Sequence, residues 1–326
     1  MSNGTRHGQP PLRVRLFYGR QAEPDYASLD DTDLAALQHD RVRLVEAPWA
    51  RLLTGMTDRR AAVSWEHVAT QGREVRVRLL RPIHSPDPDR RLPLVVHVHG
   101  GGFVGTATQC DWLTSRLAAA LPAVVVSVEH RLVNHATPLT AAVDDGWDVL
   151  LRLVEDADTW QIDPDRVALV GESAGGAVAA MTAIRAVAAG LPLRAQVLVN
   201  PVTDLSTTAA QYPSMTEHAR TPTLSAAQLE FFRGLAAPTE ELARAVSPLH
   251  TEDLAGLPPA LFVIPLLDPL ADQAVAYAHR LRDHGVPAQV ASFPRSGHAF
   301  VSMPGLTRAA RPARREILDF LSNHLR

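Results

Sequence analysis

Gly171-Glu172-Ser173-Ala174-Gly175-Gly176 follows the apolar run 167–170 and opens the alanine-rich stretch 174–189. A serine between glycines, where a strand turns into a helix, sits on a turn so tight that only small neighbours fit beside it. The spacing therefore predicts that Ser173 stands at the tip of a sheet. A helix opening at Ala174 would put free N–H groups and the positive end of its dipole beside any oxyanion formed on Ser173. The same short pattern also recurs as a plain strand-to-helix turn, so the flanks decide the reading. Here an apolar run precedes it and a helical stretch follows.

The surrounding chain repeats this alternation. Continuous apolar runs at 94–98, 124–128, 167–170, 197–199 and 261–264 suit strands buried on both faces of a parallel sheet. Helical stretches at 111–120, 141–155, 174–189 and 270–284 separate them, and Gly190 and Gly285 each stop a helix two residues before a proline. A last strand at 289–293 leads through Pro294-Arg295-Ser296-Gly297, read as a loop, to a C-terminal helix at 309–325. Strands alternating with helices indicate an α/β fold of the doubly wound kind.

Before this core, Val63, Trp65 and His67 alternate, as do Val75, Val77 and Leu79, and Gln71-Gly72 joins the two runs as a hairpin. A proline-rich link at 82–93 follows. Residues 1–24 read as a flexible lead-in, and Ser28-Leu29-Asp30-Asp31 as the start of a helix. Between residues 200 and 247 the alternation breaks for a segment with the capping box Ser225-Ala226-Ala227-Gln228. The predicted organisation is a flexible and helical cap segment over 1–60 and one α/β domain over 61–326, with a cap insertion at about 204–246.

A chain of 326 residues suits one large α/β core with additions rather than two independent domains. Apolar residues make up 46%, charged residues 21%, and mean hydropathy is -0.04, so no disorder-dominated reading survives. A net charge of -3 with scattered arginines leaves no positive field for nucleic acid or anionic lipid. All 32 basic residues are arginine, which excludes a Ser-Lys or Schiff-base mechanism. No run of about 18 apolar residues exists, which excludes a helical membrane span. Cys110 is the only cysteine and residues 1–11 lack the apolar core of a signal peptide, so the expected location is cytoplasmic. Beside Trp112 and Leu113, Cys110 reads as packing rather than as a reactive thiol.

A serine hydroxyl becomes a nucleophile when a base takes its proton and fixed donors await the oxyanion. His99-Gly100-Gly101-Gly102-Phe103 follows the run 94–98, and its glycines let backbone N–H groups face a site. With the N–H of Ala174 they form a candidate oxyanion hole. Among fourteen histidines, His298 in Ser296-Gly297-His298-Ala299-Phe300 follows the last strand, at the same sheet end as Ser173. His97 and His99 lie near the glycine loop, where His99 braces it, and His279, His284 and His324 fall on helices. The acid is expected between serine and histidine in chain order, and Asp268 is delivered there by the run 261–267. Asp268 also suits a helix N-cap before Pro269, and the two roles can coexist. Asp272 falls in the first turn of that helix, where the helix dipole favours a carboxylate for structural reasons.

These motifs, with Ser247-Pro248-Leu249 and Asp268-Pro269-Leu270-Ala271-Asp272, resemble the hormone-sensitive-lipase-like branch of the α/β-hydrolases, which includes bacterial esterases and plant carboxylesterases. The resemblance covers about residues 90–325. It implies an α/β-hydrolase fold, with a mostly parallel central sheet flanked by helices and a helical cap. It also implies a triad of Ser173, Asp268 and His298, and an oxyanion hole at Gly101, Gly102 and Ala174. The implied activity is a serine esterase acting on short-acyl or small-molecule esters through an acyl-enzyme, with neither metal nor organic cofactor. Acyl transfer or amide hydrolysis through the same intermediate stays open. So does a non-enzymatic small-molecule receptor of this fold, although the intact triad speaks against it. The expected partner is a small-molecule ester, with no nucleic acid and no membrane, and a homodimer stays open.

Three departures stand out against the family pattern. His130-Arg131-Leu132-Val133-Asn134-His135 replaces Tyr-Arg-Leu-Ala-Pro-Glu, Glu172 replaces an aspartate, and Ala271 and Gln273 replace an arginine and a glutamate. None removes a triad member.

Overall fold

The computed structural model describes residues 9–19, 24–84 and 90–326. Residues 1–8 and 20–23 of the expected lead-in, and 85–89 of the proline-rich link, lie outside the described residues. The chain begins with α1 (Leu12–Tyr18), α2 (Asp31–Glu46) and α3 (Arg51–Thr54), followed by the hairpin β1 (Ala61–Thr70) and β2 (Arg73–Pro82). The alternating core runs β3 (Leu92–Val98), α4 (Asp111–Ala120), β4 (Val124–Val128), α5 (Leu139–Glu155), β5 (Ile162–Glu172), α6 (Ala174–Ala188) and β6 (Ala195–Val199). An insertion then carries α7 (Pro213–Glu217), the short pair β7 (Arg220–Thr221) and β8 (Leu224–Ser225), α8 (Ala226–Ala236) and α9 (Glu240–Ala245). The core resumes with β9 (Ala260–Leu267), α10 (Ala271–Asp283), β10 (Ala288–Gly297) and α11 (Ala310–His324).

Eight strands form one sheet in the order β1-β2-β4-β3-β5-β6-β9-β10. β1 and β2 are antiparallel, β2 is antiparallel to β4, and every other pairing is parallel. The continuous apolar runs are explained by two cores, one on each face. Leu94, Val96 and Val98 join Val167 and Leu169 under α5, α6 and α10, while Val95, Ala168 and Val170 face α4 and α11. Successive side chains of a strand point to opposite faces, so burial of both faces removes the polar positions. Chain order reverses around β3, which lies between β4 and β5, and loops from the carboxyl ends of strands meet at such a point.

In the described part of the lead-in, α1 buries Val14, and the Tyr18 hydroxyl donates to Met303 Sδ at 3.0 Å. Two expectations need correction. Pro294 to Gly297 continue β10 rather than leave it, with a register shift after Phe293. An edge strand accepts proline because its outer side needs no N–H donor. Finally, α10 begins at Ala271, not at Pro269. In the insertion, Ser225 Oγ accepts from Gln228 N at 3.0 Å, the serine half of the expected capping box.

Candidate active site

Ser173 joins β5 to α6 with φ 56° and ψ -120°, a conformation rare for a residue with a side chain. Its amide donates to the Val199 carbonyl at 2.9 Å, and its carbonyl accepts from Val202 at 3.0 Å and Gly176 at 2.9 Å. The turn is thus over-determined, as the persistence of a strained backbone requires. A Cβ on Gly175 would lie 2.3 Å from the Val98 carbonyl oxygen, so only glycine lets α6 come this close to the end of β3. Among the described residues, the amides of Gly101, Gly102 and Ala174 donate to no protein acceptor. Val133 N donates to the Gly102 carbonyl at 2.9 Å and holds the glycine loop from behind.

His298 follows β10 directly. Its Nε2 lies 2.8 Å from Ser173 Oγ and its Nδ1 2.8 Å from Asp268 Oδ2. Asp268, at the end of β9, is fully buried, and its Oδ1 accepts from Leu270 N at 2.9 Å. That bond is an Asx turn preceding the helix rather than an N-cap, which explains why α10 starts two residues past Pro269. Asp272 lies elsewhere: its Oδ2 accepts from Ser214 N at 2.8 Å and ties α10 to α7. The structure therefore brings Ser173, Asp268 and His298 together and leaves Asp272 outside. Such a row can pass a proton from a hydroxyl to an imidazole whose other nitrogen is held by a carboxylate.

Sequence reasoning placed His97 and His99 by the glycine loop but missed His130, which stacks on His99 and completes a histidine layer there. His99 and His130 stack with ring centroids 4.2 Å apart, and His130 Nε2 lies 3.2 Å from the His99 carbonyl. His97 Nδ1 meets Ser127 Oγ at 2.7 Å across β3 and β4. Burial, reinforced by His130, lowers His97 to about 3 and holds His99 well below the ordinary value. An unfolded chain would take up these protons near the ordinary value of about 6.5, while the folded chain refuses them until far lower pH. Between those limits the unfolded state binds more protons, so stability falls as pH falls, by about 1.4 kcal/mol per pH unit for each histidine. His97→Gln should therefore flatten the stability–pH curve by that slope between about pH 6 and pH 4 in denaturant titrations. Parallel curves for variant and wild type would show that His97 does not stay neutral in the fold.

Glu172 is a second feature that spacing did not reveal. Its Oε2 accepts from Ser302 Oγ, on the loop after His298, and lies 3.7 Å from Cys110 Sγ, while Oε1 is buried without a partner. Burial pushes the Glu172 carboxyl above the usual range, opposed by the Ser302 hydrogen bond and by His298. Burial likewise pushes the Cys110 thiol well up, so Cys110 packs rather than reacts. Above these residues a cavity of about 540 Å³ is walled by Gly101, Ser173 and His298, by Tyr18 and Leu37 from the N-terminal segment, and by Leu224 and Phe232 from the insertion. Among the described residues, no group of three or more His, Cys, Asp or Glu is placed to hold a metal ion, and no helix is long and apolar enough to cross a membrane.

The family model for the α/β-hydrolase fold matches residues 95–302. The chain is 34% identical over 297 residues to an ethyl acetate hydrolase of Pseudomonas putida, covering 89% of this chain and 92% of that protein. It is 34% identical over 232 residues to carboxylesterase NlhH of Mycobacterium tuberculosis, covering 68% and 70%. The solved structure of an esterase from Pyrobaculum calidifontis matches with a TM-score of 0.82 at 30% identity, over 96% of this chain and 98% of that one. Topology, motifs and these likenesses agree, and the chain belongs to the α/β-hydrolase fold family, in its hormone-sensitive-lipase-like branch.

Proposed function

We propose that Ser173 is the nucleophile, His298 its base and Asp268 the acid that orients His298. The chain itself is an esterase, and its substrates are small-molecule esters. What supports the residue roles is one observation: an unbroken row of hydrogen bonds from Asp268 through His298 to Ser173 Oγ, each 2.8 Å. In this reading His298 takes the proton from Ser173 as Oγ attacks the ester carbonyl. The amides of Gly101, Gly102 and Ala174 receive the oxyanion, and His298 returns the proton to the leaving alcohol. Water activated by the same imidazole then cleaves the acyl-enzyme. The described residues 9–19 and 24–60, together with the insertion at 204–246, act as a cap over the cavity, short acyl groups are the preferred substrates, and a single buried cysteine fits a reducing cytoplasm.

The test is to trap the intermediate. With excess p-nitrophenyl butanoate, rapid acid quench and mass spectrometry should find a butanoyl group on the peptide carrying Ser173, alongside p-nitrophenol release. Turnover with the acyl group on another residue would overturn the assignment, and absence of both would point to a binding protein.

A further inference from the structure

An ester's leaving oxygen must face the group that protonates it, so in the proposed reaction the alcohol lies towards His298. The carbonyl oxygen points at the three amides. The acyl chain takes the direction left over, away from His298 and along whatever packs against those amides. Phe232 of α8 stands there. A Cβ on Gly102 would fall 2.2 Å from Cε2 and 3.0 Å from Cδ2 of Phe232, and 3.0 Å from the Cβ of Ala174. The ring edge is therefore pressed onto the bare face of Gly102, beside Ala174.

This ring is also held in place. Phe232 is 5% exposed, and its centroid lies 6.5 Å from that of Phe103, stacked at 30°. Phe103 in turn meets Phe231 edge-on at 5.5 Å, and Phe231 meets Tyr26 at 5.3 Å. Rings at such separations attract beyond their buried area, so the chain of aromatics fixes α8 against the glycine loop. The His298 side of the cavity is lined differently, by Ala299, Met303 and Tyr18, whose hydroxyl bonds the Met303 sulfur.

The geometry points to Phe232 as a specificity-determining residue, whose ring closes the acyl pocket beyond Gly102 and Ala174 and restricts efficient turnover to short acyl chains. This inference rests on the triad assignment above. Since the wall comes from the insertion rather than from the sheet, acyl length is set separately from the catalytic row. The alcohol side keeps its own walls and its own selectivity.

The experiment compares p-nitrophenyl butanoate and octanoate, below their micelle thresholds, in wild type, Phe232→Leu and Phe232→Ala. The readout is the octanoyl-to-butanoyl ratio of kcat/KM, in which any uniform damage to the oxyanion hole cancels. Each buried methylene is worth about fourfold in affinity, so Phe232→Ala should raise the ratio at least about tenfold and Phe232→Leu by less. Ethyl and benzyl butanoate, varied on the alcohol side, should keep their ratio within about twofold. Two results overturn the inference: a wild type that turns over octanoate as fast as butanoate, or variants whose acyl ratio stays at the wild-type value. If Phe232→Ala fails to fold, Phe232→Leu decides by the same ratio. Failure of the triad assignment has a separate signature, since the acyl group would then be trapped away from Ser173 whatever the ratio.

Discussion

Replacing Ser173 with alanine should lower kcat by about 10⁴-fold or more while the protein melts normally. The loss is expected to be large because in the proposed mechanism Ser173 Oγ forms the new bond, activated by His298 Nε2 at 2.8 Å. Stability should hold because the turn is fixed by backbone bonds, from Ser173 N to Val199 and from Val202 and Gly176 to the Ser173 carbonyl. Ester turnover and thermal melting on the same preparation check both halves. Activity within about tenfold of wild type, with unchanged melting, would move the nucleophile elsewhere.

Asp268→Asn should lower kcat by roughly 10²- to 10⁴-fold. An asparagine can keep the bond from Leu270 N through its carbonyl oxygen, which turns its NH₂ towards His298. Nδ1 must then accept, the proton moves to Nε2, and the imidazole can no longer take the proton of Ser173. Asp272→Asn is the matched control, one turn along but facing Ser214 N at 2.8 Å. It should cost about 0.3 to 1 kcal/mol through the weakened helix-dipole interaction and leave kcat near wild type. Measuring kcat and Tm for both variants separates the roles. A collapse of kcat at Asp272, with Asp268→Asn still active, reverses the assignment.

The strands and helices of the core were legible because burial of both sheet faces leaves unbroken apolar runs, and each run from 94–98 to 261–264 lies within an observed strand. The positions of Ser173, Asp268 and His298 were legible for the same reason: each follows a strand, and parallel strands end on one edge. What stayed hidden depends on contacts without a period. Glu172 meets Ser302 at a separation of 130 residues, and His99 stacks on His130, with nothing local to announce either. The ring of Phe232 belongs to a helix whose apolar face is evident, but which glycine it covers is decided by how the insertion folds back. Helix α10 shows local rules yielding to the site: Asp268 has one carboxylate oxygen turned to His298, so the helix starts later than aspartate followed by proline suggests.

The distance along the chain between Ser173 and His298, 125 residues bridged in space by 2.8 Å, carries a consequence for biogenesis. On the ribosome the proposed nucleophile Ser173 emerges long before its proposed base His298. A nascent chain complete through Asp268, the residue after β9, holds Ser173 and Asp268 but lacks His298, so on the proposed roles it has no base with which to attack an ester. On the proposed roles, activity requires the edge strand β10 to have paired with β9, since that pairing carries His298 to Ser173. Onset of ester turnover during refolding should therefore report docking of the β10 edge rather than formation of the sheet centre.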